Sequence, residues 1–421
     1  MILFKLAWKS LKNRLTSSVL TITSIALSVA LLFAVERTQR AAEEGFTQSV
    51  SQVDLLVGAK TGPLNLILYT VFNMGSANNN ISWESYQDIK SKPQVDWTIP
   101  YSLGDGHKGF RVVATDENFY QHYRFRGDQS VEFKTGQPAL DVWDVVIGSD
   151  VEKKLKYKLG DSVVIAHGVT KGEALQFHDD KPFRVVGILK PTGTALDQSI
   201  YISLYGMEAI HMDWKDGAAP QPGQSVSAAS IKKENIKIGP ITAFFLRTKS
   251  RIETLRLQRE INTYVDEPLL AIIPGATLSE LWRGLSQIDV ILKIISVMVL
   301  AVGLASMVSS LLASLNERRR EMSILRSLGA TTGQITLLLV FESTFLTLIG
   351  VLFGALLNII AVWSIASWLQ SEFGFYITGA VFTMTDIIYG VIIVVAGVFV
   401  GLLPALQARQ RALKDGLTIK V

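Results

Sequence analysis

The chain has 421 residues and no cysteine, which excludes disulfides, thiolate metal sites and thiol nucleophiles. Charge is scarce as well: 19% of residues are Asp, Glu, Lys or Arg, against 48% hydrophobic, and mean hydropathy is +0.30. Soluble domains rarely combine these values, so a membrane protein is expected before any segment is inspected. The net charge of +4 is small, and no face interleaves basic with aromatic residues, so no nucleic-acid partner is expected. A Gly-x-Ser-x-Gly elbow is missing too, which leaves a hydrolase without support. No Gly-x-x-x-x-Gly-Lys-Ser/Thr phosphate loop occurs either. Gly58-Ala-Lys-Thr61 and Gly329-Ala-Thr-Thr-Gly333 lack the spacing or the lysine, so no cofactor is expected on this chain.

What is present is a set of four long apolar runs: 18–35, 290–315, 335–363 and 387–406. Each approaches the roughly 20 residues needed to cross a bilayer. Charges at their ends set the topology. Residues 1–16 carry Lys5, Lys9, Lys12 and Arg14 and no acid, whereas 370–386 carries Glu372 and Asp386 and no base. The tail has Arg409, Arg411, Lys414 and Lys420 against Asp415. Both termini and the second–third connection are thus expected inside. The organisation predicted is an interfacial helix at 1–16, a first span at 17–36 acting as an uncleaved anchor and an outside domain with helical stalks at 37–285. It continues with a second span at 286–315, a cytoplasmic helix at 316–334, a third span at 335–365, an outside loop at 366–385, a fourth span at 386–408 and a tail at 409–421.

The second–third connection reads Asn316-Glu-Arg-Arg-Arg-Glu-Met-Ser-Ile-Leu-Arg-Ser-Leu-Gly329. Arg318, Arg319, Arg320 and Arg326 place it in the cytoplasm. Met322, Leu325 and Leu328 recur at helical spacing, and Gly329 supplies a C-terminal stop. A solvated loop that merely sets topology and a helix that docks a soluble partner both fit these residues.

The outside region predicts alternating strands and helices: strands at 53–57, 109–115, 145–148 and 162–166, and helices at 83–91, capped by Ser82, and 150–156. Segments 183–189 and 199–202 flank Pro191-Thr-Gly-Thr194 as an expected hairpin, and a strand–helix–strand at 241–273 closes the domain. The fold class expected is four transmembrane α-helices with a large extracytoplasmic α+β domain, a ferredoxin-like porter part with an inserted β-rich lobe.

Taken together, Glu317–Ala330, Val145-Val-Ile-Gly-Ser-Asp-Val-Glu-Lys-Lys-Leu155 with Lys158-Leu-Gly-Asp161, Phe183-Arg-Val-Val-Gly-Ile-Leu189 and Gly401-Leu-Leu-Pro-Ala405 with Ala408 resemble the MacB/FtsX-type (type VII) permeases of ABC transporters. The resemblance covers most of the chain and favours the MacB- and LolC-like branches. MacB carries its ATPase on the same chain, and this sequence does not. The resemblance therefore implies a separate ATP-binding subunit, present as a dimer and holding the ATP and Mg, so that the permease is not itself an enzyme. It also implies a second permease copy, a coupling helix formed by Glu317, Arg318, Arg319, Arg320, Glu321, Met322, Leu325, Arg326 and Gly329, and residence in a bacterial inner membrane with the large domain in the periplasm. ATP-driven movement would export or extract a substrate together with an adaptor, lipoprotein or carrier protein. The alternative it implies is an FtsX-like switch that activates an outside partner such as a cell-wall hydrolase.

Four further features invite a role. Glu342 is an acid within the third span, where ionisable groups are costly. It would act functionally or anchor the bundle through hydrogen bonds. Asp289 and Lys293 stand at i, i+4 and are expected to pair near the outer interface. Gly350-x-x-x-Gly354 and Gly397-x-x-x-Gly401 allow close helix approach, within the chain rather than between copies. All five histidines lie outside, and His178, Asp180, His211 and Asp213 supply metal-ligand types, opening a zinc-linked transport or sensing role beside the reading of ordinary surface histidines.

Overall fold

Several strand segments, such as Leu55–Ala59 and Ser199–Ser203, are buried at every position. A strand with that pattern requires cover on both faces of its sheet. The computed structural model describes residues 14–167, 178–214, 226–317, 324, 326–373 and 383–414. They form two compact units, one built on the long helices and one on residues Ala42–Leu285.

The strands of the second unit are β1 (Leu55–Ala59), β2 (Val95–His107), β3 (Phe110–Thr115), β4 (Arg124–Phe125), β5 (Gln129–Ser130), β6 (Phe133–Gly136), β7 (Asp144–Ile147), β8 (Ser162–Val163), β9 (Ala166–His167), β10 (Phe183–Leu189), β11 (Ser199–Ser203), β12 (Ala243–Thr248) and β13 (Leu269–Ile272). Eleven of them join one sheet in the order β13-β1-β12-β2-β3-β11-β7-β10-β6, with β8 on β10 and β9 on β2. The first four of that order are all antiparallel to their neighbours, and helices Trp83–Lys90 and Arg251–Asn262 connect β1 to β2 and β12 to β13. This is the split βαβ arrangement of a ferredoxin-like fold. The β-rich lobe is inserted between β2 and β12. It shares the sheet because β2 is long: Val95–Tyr101 pairs β12, while Ser102–His107 pairs β3 with a register shift between Leu103 and Gly106.

Alternate residues of each strand feed opposite cores. Leu55, Val57, Val112, Ile147, Ile200 and Phe244 pack with Tyr86, Ile89, Leu257 and Ile261 on one face. Leu56, Val113, Val146, Tyr201 and Phe245 pack with Leu66, Ile67, Phe119 and Tyr123 on the other. Ser82 caps its helix as predicted, its hydroxyl accepting from the Ser85 amide at 3.2 Å.

The expected hairpin between 183–189 and 199–202 does not form. β7 lies between β10 and β11, parallel to the former and antiparallel to the latter. The connection is wider than a tight turn because buried Asp197 gathers the Thr192 amide at 2.8 Å, the Gly193 amide at 2.7 Å and the Thr192 hydroxyl at 2.9 Å, leading into a 3₁₀ turn at Ala195–Gln198. That breadth lets the chain step across β7.

In the other unit, four helices contain segments long and apolar enough to cross a membrane: Leu15–Ala41, Val290–Leu315, Thr332–Ile365 and Met384–Gln407. Ile25, Val29, Phe33, Met307, Leu311, Leu346 and Ile393 form their shared core. Leu20, Val302, Leu352 and Phe399 are exposed, as lipid-facing residues of such a bundle should be. Both small-residue motifs serve packing within the chain. A Cβ at Gly354 would stand 2.7 Å from Val29 Cβ, and one at Gly401 would stand 2.5 Å from Ser343 Cβ.

Candidate functional site

Three places hold the residues singled out from the sequence. The first is the connection between the second and third spans. Helix Pro274–Glu317 leads into it, and Gly329, at φ +94°, ends the short turn in which Ile324 and Leu328 are exposed. The next helix starts with a capping box that the sequence reading missed. The Thr331 hydroxyl accepts from the Gln334 amide at 3.3 Å, and Gln334 Oε1 accepts from the Thr331 amide at 2.9 Å. Of the expected coupling residues, Arg326 is exposed. Arg318, Arg319, Arg320, Glu321, Met322 and Leu325, together with the Glu317 side chain, lie outside the described residues. So do 1–13 of the expected interfacial helix, 374–382 of the third–fourth connection and 415–421 of the tail.

The second place is polar and belongs to the membrane unit. Glu36 accepts from Arg40 at 3.0 Å and stands 3.5 Å from the Lys293 ammonium. Arg37 meets Asp386 at 3.6 Å, and Arg40 donates to the Thr383 hydroxyl at 2.6 Å. Lys293 was expected to pair with Asp289, whose side chain lies outside the described residues; its observed partner is Glu36, on a different helix. Mutual pairing of this kind offsets the desolvation of charges near an apolar bundle. Glu342 is buried, at 3% exposure.

The third place joins β2, β9, the start of the β9–β10 connection's return at His178, and the end of helix Leu204–His211. Asp105, His167, His178 and His211 converge there, each offering one ligand atom, with all four atoms within 4.8 Å of one another. Asp105 Oδ1 is 3.0 Å from His167 Nδ1, and Asp105 Oδ2 is 3.4 Å from His211 Nε2. His211 Nδ1 donates to the Met207 carbonyl at 2.8 Å, since a carbonyl can only accept. That bond leaves Nε2 of His211 as the nitrogen that faces Asp105. The Trp214 ring lies against the cluster, with its centroid 4.3 Å from His167 and 4.4 Å from His178. Burial pushes His178 down to about 4, so its imidazole is neutral near pH 7.

Two of the four expected metal ligands, His178 and His211, are in this cluster. Asp180 and Asp213 are not. Both attend the fully buried Lys181, whose ammonium donates to Asp213 and stands 3.6 Å from Asp180. A buried ammonium needs a carboxylate more than a cluster of imidazoles does, and the turn from His178 to Lys181 aims it at Asp213. Burial alone would raise Asp213, but the hydrogen bonds from Lys181 and from the Val226 amide outweigh it and hold the carboxyl below its usual range. Asp105 and His167 were missed because nothing local marks them; β2–β9 pairing, which sets Asp105 opposite His167, is what brings them together.

Four helices long and apolar enough to cross a membrane, with an α/β domain inserted in the chain between the first and the second, give the architecture of a membrane protein that carries one large domain outside its spans. Residues 18–262 match the MacB-like periplasmic core domain, and residues 293–413 match the FtsX-like permease C-terminal family. The chain belongs to the MacB/FtsX-type family of ABC transporter permeases. It is 23% identical over 408 residues to the uncharacterized ABC transporter permease MJ1507 of Methanocaldococcus jannaschii, covering 95% of this chain and 93% of that protein. Over 120 residues it is 39% identical to the uncharacterized ABC transporter permease YknZ of Bacillus subtilis, covering 26% of each. Among solved structures, the periplasmic region of MacB from Actinobacillus actinomycetemcomitans aligns at TM-score 0.35 and 9% identity, covering 55% of this chain and 94% of that one. The extracellular domain of the noncanonic ABC-type transporter YknZ from Gram-positive bacteria aligns at TM-score 0.30 and 11% identity, covering 52% and 98%.

Proposed function

We propose that this permease couples ATP hydrolysis in a separate ATP-binding subunit to conformational change of its extracytoplasmic domain, and that this change exports or extracts a substrate. The observation that carries the reading is the near full-length likeness to an ABC transporter permease in a chain that has no phosphate loop of its own. Two permease copies would stand on two ATP-binding subunits, which hold ATP and Mg, in the cytoplasmic membrane of a bacterium. The segment Glu317–Gly329 would be the contact. Its arginines suit an acidic groove on the ATPase, and the exposed Ile324 and Leu328 supply apolar area beside them.

The test is reversal of Arg318, Arg319 and Arg320 to Glu in cells that co-express the partner ATPase. Membrane insertion should persist, while co-purification of the ATPase and stimulation of its turnover by the permease should be lost. Unchanged stimulation would remove the docking role. With docking established, release of a lipid or protein substrate by the reconstituted complex distinguishes export from activation of an outside cell-wall enzyme.

A further inference from the structure

The histidine cluster carries an inference that stands whether or not an ATPase partner is found. We infer that Asp105, His167, His178 and His211 form a four-ligand site for a zinc-class divalent ion in the extracytoplasmic domain.

The first ground is unmet hydrogen bonding. His178 is fully buried, yet among the described residues neither of its ring nitrogens has a partner. Nε2 of His167 and Oδ2 of Asp105 are buried without a hydrogen bond as well. Each buried polar group left in that state has lost its water without gaining a partner, and native interiors rarely tolerate several in one place. Here the orphaned atoms belong to residues of one cluster. A neutral imidazole keeps one lone pair and a carboxylate oxygen only accepts, so each residue holds an electron pair that its neighbours' lone pairs cannot satisfy, whereas a cation engages one such atom from each.

The second ground is geometry. A tetrahedral zinc ion with bonds of about 2.05 Å sets its ligand atoms about 3.3 Å apart. Asp105 Oδ1 lies 3.0 Å from His167 Nδ1 and Oδ2 lies 3.4 Å from His211 Nε2, so the carboxylate stands within about one such edge of both rings and a turn about its side chain offers a single oxygen to an ion between them. All four ligand atoms lie within 4.8 Å of one another, so closure by about 1.5 Å at most reaches that edge. His211 is oriented by its Nδ1 bond to the Met207 carbonyl, as outer hydrogen bonds orient metal-binding imidazoles.

Ligand chemistry selects the ion. Three imidazoles and one carboxylate suit Zn(II), with Co(II), Ni(II) and Cu(II) as competitors, and not Ca(II) or Mg(II), which take oxygen. All four positions are supplied by protein and Trp214 lies against two of the rings. Such a closed site holds an ion structurally or senses it, whereas hydrolytic sites keep a position open for water. The ion would tie β2, β9, the residue that re-enters at His178 and the end of helix Leu204–His211 into one clamp.

The full-length chain, purified in detergent and stripped with a chelator, is titrated with Zn(II) by calorimetry and with Co(II) by visible absorption. One ion per chain and the intense bands of tetrahedral Co(II) are expected, with no binding of Ca(II). His178→Ala should weaken zinc by about 100-fold or more, Asp105→Asn should weaken it less, and His122→Ala, whose ring stacks on Trp97 instead, should bind as the parent does. Absence of saturable zinc binding, weak octahedral Co(II) bands, or parental affinity in His178→Ala and His211→Ala would overturn the site. Should a variant fail to fold, the Co(II) spectrum of the parent decides alone.

Discussion

Lys181 and Asp213 offer the sharpest test of how the histidine bay is held. Lys181 is 0% exposed and the Asp213 side chain 3% exposed, and the ammonium donates to the carboxylate. Lys181→Met removes the cation but leaves a buried carboxylate to backbone amides, that of Val226 at 2.9 Å among them. Removing one partner of a buried pair costs about 3–5 kcal/mol. In a domain of this size, 1 kcal/mol moves Tm by about 2–4 °C, so a drop of roughly 6–20 °C is expected. Lys181→Met with Asp213→Leu removes both charges and should recover most of that loss, because the desolvation cost of the pair disappears with it. The assay is thermal unfolding of the full chain in chelator, followed by intrinsic fluorescence, which senses Trp214 beside the bay. A double-mutant cycle then gives the coupling. A double variant as damaged as the sum of its singles would refute the pairing argument. If Asp213 were instead a metal ligand, the double variant would lose zinc while keeping its fold; on the present assignment it keeps both.

Two other outcomes follow from the packing and the charges. Gly401→Val should disrupt the close approach of the fourth helix to the third, since its added carbons meet Ser343, and the measurable result is lower yield and earlier aggregation on heating in detergent, whereas Gly275→Ala, where a Cβ meets open space, should be tolerated. Burial raises Asp116 to about 6, against the Lys90 charge and the helix-cap amides that lower it. Its folded form therefore binds a proton more tightly than its unfolded form, and the stability this gives is lost as pH rises from 3.8 towards 6. Asp116→Asn keeps the cap to the Asn118 amide without the charge, so its stability relative to the parent should improve by on the order of 2 kcal/mol between pH 4 and 7, allowing for partial exposure; a pH-independent difference in melts would contradict the assigned shift.

Much of this protein is written in local pattern. Apolar runs long enough to span a bilayer, and lysines and arginines beside them, read the same in any tertiary context, because the cost of burying charge in lipid does not depend on distant residues. The cap at Ser82 and the stop at Gly329 are likewise carried by short segments. Strand neighbours are not. β7 enters between β10 and β11 because Asp197 shapes a connection broad enough to admit it, and that carboxylate's partners become visible only when folded.

The same limit explains the metal ligands. Sequence proximity grouped His178 with Asp180 and His211 with Asp213, as residues two apart that carry the right donors. On the folded chain the two aspartates face a buried lysine, while Asp105 and His167 arrive from paired strands to complete the bay. Residue types alone decided that this chain lives in a membrane; the sheet decided which of its histidines face one another, because a ligand set is a matter of distance in space and only strand pairing across long stretches of chain fixes that distance.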